Sequence, residues 1–182
     1  MKSKLTDLKF FYLGTPSYIQ EYLDVKGDLT YTSDKIEPFI LKEYDWIISY
    51  GYTHILNKEH ISSSKNPILN LHISYLPWNK GFSPNYWSWK KNTPKGVTIH
   101  QIDEGLDTGP VYVQKFVNFN GDETLSSSYL ILKLEIEKLF LQSFDKIISG
   151  QLQPYKQESK GSHQFKRELP QNIDWNKRVS EI

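Results

Sequence analysis

Two positions carry the clearest chemical signal in the sequence. Asn70-Leu71-His72 closes an apolar run, Ile68–His72 (ILNLH), that reads as a short buried strand entered from Pro67. Alternation along a strand puts side chains 70 and 72 on one face, so an amide and an imidazole project into the same crevice. The imidazole is a proton acceptor tunable near neutral pH, and the amide N–H suits a developing oxyanion. Spacing alone fits equally a satisfied core or loop histidine, the commoner state of an imidazole without a partner. A second group follows a later strand, in the loop from His100 to Pro110: Asp103, Glu104, Gly105, Asp107 and Gly109. Such a loop opens its amides and carbonyls to a ligand, and it also reads as an ordinary turn with solvated charge. Asp107 is its member of interest, since a carboxylate beside an imidazole orients the ring and stabilises its cation. The spacing does not establish that Asp107 meets His72. A third group, Tyr75 through Gly81 (YLPWNKG) and then Pro84 through Trp87 (PNYW), sets aromatics beside Asn79 and Lys80. That pattern suits stacking on a ring and contact with phosphate oxygens, or a loop anchored by buried tryptophan. His54, His60 and His163 lack metal-ligand spacing, so no metal site is expected. Ser49-Tyr50-Gly51-Tyr52 is not a phosphate-binding glycine loop.

These residues need a scaffold, and the pattern supplies strands alternating with helices. Lys9–Gly14 reads as a buried strand ended by Gly14-Thr15-Pro16, and Leu29–Thr32, Asp45–Ser49, Gly96–Gln101 and Val111–Val117 read as further strands. Short helices are predicted over Ser17–Leu23, Ile36–Glu43 and Asn85–Lys90, with a loop from Leu76 to Ser83. The strongest element is a helix over Thr124–Ser149, capped by Thr124 and stopped at Gly150. Its apolar stripe runs Leu125, Tyr129, Leu132, Ile136, Leu139, Phe140, Phe144 and Ile147, with Lys133, Glu137 and Lys146 off it. Residues 151–182 are polar, broken by Pro154, Gly161 and Pro170, and read as a tail packing back through Phe165, Ile173 and Trp175. The whole points to a single α/β domain over 1–182, with residues 1–150 as its core and a mostly parallel sheet. Ligands of such sheets bind at the C-terminal ends of the strands, where Asn70 and His72 stand.

Composition narrows the classes. The 182 residues include 22 Lys+Arg against 21 Asp+Glu, so the net charge of +1 disfavours a partner held through nucleic-acid phosphates. With no cysteine, disulfides, thiolate metal sites and a cysteine nucleophile are excluded. No window reaches the length of a membrane span and the N-terminal apolar run is too short for a signal peptide, which points to a soluble, cytoplasmic protein. There is no alanine and there are only two arginines, a bias of the kind an AT-rich genome produces.

Taken together, SYGYTHIL (Ser49–Leu56), NLHISYLPWNKG (Asn70–Gly81), GVTIHQIDEGLDTGPV (Gly96–Val111) and the helix after them resemble the 10-formyltetrahydrofolate-dependent formyltransferases. The resemblance covers roughly residues 45 to 150. It implies a Rossmann-like formyltransferase fold, shortened in its N-terminal part and without a second domain, and it implies catalysis by Asn70, His72 and Asp107. On that likeness Asn70 donates to the oxyanion of a tetrahedral intermediate, His72 serves proton transfer or electrostatic stabilisation, and Asp107 orients His72 or relays protons. The folate co-substrate is implied between Thr53, His54, Ile55 and Leu56 on one side and Asp103, Glu104 and Gly105 on the other. SYLPWNKG followed by PNYW is most similar to the sugar-nucleotide N-formyltransferases of surface-glycan synthesis, with Tyr75, Asn79, Lys80 and Trp87 as implied substrate contacts. Two other readings stand beside it: the same chemistry on an aminoacyl group carried by tRNA or a carrier domain, and a non-catalytic folate or sugar-nucleotide binder. A homodimer through an exposed helix or edge strand is a further expectation.

Overall fold

The computed structural model describes residues 6–182. Four strands, β1 (Lys9–Gly14), β2 (Asp28–Thr32), β3 (Trp46–Tyr50) and β4 (Leu69–His72), pair in parallel in the order β2-β1-β3-β4. The sheet then reverses: β6 (Gly96–Gln101) lies antiparallel to β4, and β7 (Val111–Phe116) antiparallel to β6. Two-residue strands β5 (Lys80–Gly81) and β8 (His163–Gln164) pair separately, in parallel.

Both faces of β1 and β3 are covered, which explains their unbroken apolar runs. Phe10, Tyr12, Trp46, Ile48 and Tyr50 face the first core with helices α1 (Tyr18–Lys26) and α4 (Leu125–Ile148), whereas Phe11, Leu13 and Ile47 pack in a second core with Leu41 and Leu56. At β4 and β6 the pattern changes to strict alternation. Leu69, Leu71, Val97 and Ile99 join the first core, so Asn70, His72, Thr98 and His100 emerge together on the opposite face. That polar face is where the site forms.

Helix α4 begins as its sequence demands. Thr124 Oγ1 accepts from the Ser127 N–H and Ser127 Oγ accepts from the Thr124 N–H, closing a capping box, while Gly150 takes a positive φ of 74° after the last turn. Two positions on it differ from the stripe expected above. Tyr129 is 44% exposed, and Glu137 is buried, accepting a hydrogen bond from the Tyr50 hydroxyl at 3.3 Å.

Other expectations are corrected locally. The predicted helix over 36–43 is a 3-10 turn from Pro38 to Glu43, because its six residues close only tight turns. A short helix α2 (Lys58–Ser63), capped by Asn57, was not legible among polar residues, and α3 (Pro84–Lys90) falls close to expectation. The loop from Leu76 to Ser83 contains β5. The tail docks largely through backbone: of the three expected side chains Phe165 and Trp175 are 46% and 41% exposed and Ile173 is half-buried, while Tyr155 bridges Val111, Arg178 bridges Thr124 and Val179 is buried. Open strand edges offer unpaired amides and carbonyls, and the tail satisfies them. No helix among the described residues is long and apolar enough to cross a membrane.

Candidate active site

The antiparallel register sets Asn70 opposite His100 and His72 opposite Thr98. The loop after β6 then folds back so that Asp107 reaches all three polar side chains. Asp107 Oδ2 lies 3.6 Å from His72 Nδ1, and Oδ1 lies 3.4 Å from His100 Nε2. Asn70 Nδ2 donates to Asp107 Oδ1 at 3.2 Å and stands 3.0 Å from His100 Nε2. A backbone amide completes the set, with the Gly81 N–H donating to Asp107 Oδ2 at 2.7 Å. The side chains of His72 and Asp107 keep only 9% and 12% of their surface exposed, so these contacts act in a largely dry setting.

Hydrogen-bond partners assign the tautomers. His100 Nδ1 faces the Gln101 carbonyl at 2.7 Å and therefore carries a proton, which leaves Nε2 to accept from Asn70. His72 Nε2 faces the Asn79 carbonyl at 3.3 Å and likewise carries the proton. The lone pair of neutral His72 thus sits on Nδ1, toward Asp107. A proton taken up at Nδ1 is stabilised there by the carboxylate.

Charge states follow from the same surroundings. Burial pushes the His72 pKa below the ordinary value of 6.5, with Asp107 opposing that shift, His100 adding to it and the Asn79 carbonyl opposing it. Burial alone raises the carboxyl of Asp107. The positive charge of the imidazoles of His72 and His100 when protonated, together with the Gly81 N–H, outweighs it and holds the group ionised far below the usual carboxylate range. Near neutral pH the site therefore presents a neutral imidazole beside a fixed anion.

Local backbone explains how so short a loop achieves this. Asp107 has a φ of 52°, in the left-handed region, which turns its carboxylate inward. Asp103 Oδ1 accepts from the Gly105 N–H at 3.1 Å and from the Thr108 hydroxyl at 2.7 Å, closing the turn on itself. Gly109 is required sterically, since a Cβ there would lie 1.9 Å from the Gln101 carbonyl oxygen.

The remaining expected residues divide by surroundings. Thr53, His54 and Ile55 are exposed, whereas the Leu56 side chain is buried in the second core, where Ile102 also packs. Glu104 and Gly105 are exposed, and Glu104 approaches Lys58 at 3.4 Å, so the two expected folate segments lie side by side. Tyr75 and Trp87 are half-buried; Tyr75 packs edge-on against Phe116. Asn79 is fully buried, its amide donating to Thr93 at 2.6 Å, and Lys80 is buried with its ammonium 3.2 Å from the Lys160 carbonyl. Both hold the loop from within. His100 is the site residue to which sequence reasoning gave no role. Its signal was available in the alternation of Thr98-Ile99-His100, which puts it on the polar face.

An amide, an imidazole and a buried carboxylate, gathered at the edge of the parallel part of an α/β sheet, form a group that can donate a hydrogen bond and take up a proton. The profile of the formyl transferase family matches residues 29–143, and the chain belongs to that family. Among solved structures, formyltransferase PseJ from Anoxybacillus kamchatkensis, in complex with UDP-4,6-dideoxy-4-formamido-L-AltNAc and tetrahydrofolate, is similar at 37% identity and a TM-score of 0.87. The match covers 95% of this chain and 96% of that one. Methionyl-tRNA formyltransferase of Clostridium novyi is 34% identical over 141 residues, 76% of this chain and 46% of that protein. The enzyme of that name from Thermodesulfovibrio yellowstonii is 34% identical over 146 residues, 77% of this chain and 46% of that protein. The chain thus spans about half the length of these curated relatives.

Proposed function

We propose that this chain transfers the formyl group of 10-formyltetrahydrofolate to the amine of a nucleoside-diphosphate-linked amino-deoxy sugar, in the cytoplasmic synthesis of a bacterial surface glycan. The 4-amine of a UDP-linked 4-amino-4,6-dideoxy sugar is the first candidate acceptor. The observation that carries this reading is the convergence of Asn70, His72 and Asp107 in a chain that matches, over 95% of its length and at 37% identity, a formyltransferase solved with a UDP-4-formamido sugar and tetrahydrofolate.

The co-substrate supplies an activated formyl carbon, and the residues present fit it. The exposed residues Thr53–Ile55 and Glu104–Gly105 would present main-chain groups to the edge of a pterin, with the exposed apolar side chains of Ile55 and Leu106 beside them. His100 fixes one N–H of Asn70, which sets the amide plane. The other N–H, on the longer 3.2 Å contact with Asp107, is the one free to pass to the oxyanion that forms as the amine attacks. As the amine attacks, its proton passes to the His72–Asp107 pair, and as the bond between the formyl carbon and the folate nitrogen breaks, the proton goes to that nitrogen.

Gly109→Ala tests the loop directly. Its Cβ must displace the main chain next to Asp107, and an ångström of misplacement costs on the order of 100-fold. Turnover is expected to fall by that order while circular dichroism stays native.

The pH dependence has a definite sign. His72 must be neutral to accept a proton, and its pKa is lowered in the fold, so it keeps that capacity below 6.5 and loses it at lower pH. Between the lowered value and 6.5 the unfolded chain binds more protons than the folded one, so stability rises with pH across that window. Nitrogen-15 NMR of His72 should show a midpoint below the ordinary value, and denaturation midpoints should fall as the pH is lowered through the window. A midpoint at or above 6.5 contradicts the neutral-base assignment.

The acceptor is tested by incubating the protein with 10-formyltetrahydrofolate and UDP- or dTDP-linked 3-amino and 4-amino sugars, alongside methionyl-tRNA and an aminoacyl carrier domain, and reading mass gain. Formylation of an amino sugar is the expected result. Transfer only to methionyl-tRNA would support the second reading, which the relatives at 34% identity favour.

A further inference from the structure

Asp107 sits in a conformation that its own loop does not explain. Its φ of 52° is unfavourable for a residue with a Cβ, and such backbone persists only where its surroundings hold it. The internal bonds of the loop are made by Asp103 to Gly105 and Thr108, and none of them grips the carbonyl of Asp107. What grips it lies fifty residues further along the chain. Gln157 Nε2 donates to the Asp107 carbonyl at 2.9 Å and to the Gly109 carbonyl at 2.9 Å.

The placement of Gln157 is itself fixed by backbone. Two residues earlier, Tyr155 exchanges hydrogen bonds with Val111, N–H to carbonyl at 2.8 and 2.9 Å, so this segment runs along the start of β7. Gln157 then reaches the loop that leads into β7. Its Nε2 spends its donor capacity on two carbonyls of the catalytic loop, while Oε1 is buried with no hydrogen-bond partner. Leaving an acceptor unmet costs stability, so the side chain is held for what its amide does. The segment beyond α4 also supplies β8, which pairs with β5 and presents the Gly81 N–H to Asp107 Oδ2. The tail therefore braces Asp107 from both its main chain and its carboxylate.

We propose that Gln157 is a positioning residue of the transfer site: it clamps the main chain of Asp107 and Gly109 and so fixes the carboxylate beside His72 and Asn70. The proposal rests on the reading of Asp107 as a member of that site, and the test separates the two.

Hydrogen exchange in the full chain gives a readout independent of activity. Among the described residues the Gly81 amide bonds only to Asp107 Oδ2, whereas its neighbours Lys80 and Phe82 bond to the carbonyls of Ser162 and Gln164 across the β5–β8 pair. Loosening Asp107 frees the first amide and leaves the other two protected. Gln157→Met keeps length and removes the donor; Gln157→Glu sets a carboxylate against the two carbonyls. In both, Gly81 exchange is expected to quicken by about tenfold or more, with Lys80 and Phe82 within about twofold of the parent. The order expected is Glu above Met above the parent. Unchanged Gly81 exchange in both variants overturns the clamp. Equal acceleration at all three amides also overturns it, since Gln157 then holds the tail and not Asp107. Alongside, kcat should fall about tenfold in Gln157→Met, with KM for the folate within about twofold. Absence of transfer by the parent chain would fault the functional reading, and Gly81 exchange would still decide the clamp.

Discussion

Replacing Asp107 with asparagine is expected to cut formyl transfer on the order of 1,000-fold or more while the chain stays folded. The substitution keeps size and removes charge, and it also costs a hydrogen bond. Oδ2 accepts from the Gly81 N–H at 2.7 Å and Oδ1 accepts from Asn70 at 3.2 Å, so an amide keeps one of these two bonds and its NH2 replaces the acceptor of the other. His72 also loses the anion 3.6 Å from Nδ1 that stabilises its cation. The loss should fall on kcat rather than on KM for the folate, because the proposed mechanism has the carboxylate act on the transferred proton. Steady-state kinetics beside thermal denaturation checks both halves. An Asp107→Asn protein with kcat within tenfold of the parent would remove the carboxylate from the mechanism.

Asn70→Ala is expected to cost roughly 100- to 1,000-fold in kcat, the range seen when one oxyanion donor is removed. Alanine on β4 leaves Leu69 and Leu71 in the first core, so the loss reports on the amide and not on packing. It also strips one hydrogen bond from Asp107 and one from His100 Nε2, while the Gly81 N–H still holds the carboxylate. If the two losses arise in one unit, the double variant with Asp107→Asn falls well short of their product. Full multiplication of the two effects would show that the residues act separately.

How much of this was legible beforehand depends on the kind of interaction. The shared face of Asn70 and His72 follows from strand alternation and needs no tertiary information. The capped start of α4 at Thr124 is likewise local chemistry. Asp107 was suspected from residue type alone, because its approach to His72 depends on the antiparallel turn of β6 and on a left-handed φ at a non-glycine residue. His100 was passed over for the same reason: its partnership with Asn70 is a cross-strand pairing, invisible until register is known. The tail was misread because apolar side chains are what a sequence advertises. Tyr155, Gln164 and Arg178 dock mainly through backbone groups, which every residue carries.

Tracing the formyl carbon tests the central claim most directly. The protein is given carbon-13-labelled 10-formyltetrahydrofolate and a UDP-linked 4-amino-4,6-dideoxy sugar, and the label is followed by NMR in the parent and in Asp107→Asn. The expected result is a new formamide resonance on the sugar amine in the parent reaction, slowed in the variant on the order of 1,000-fold. Label that stays on the folate with every amino sugar offered, or that leaves it at equal rates in parent and variant, would contradict the account.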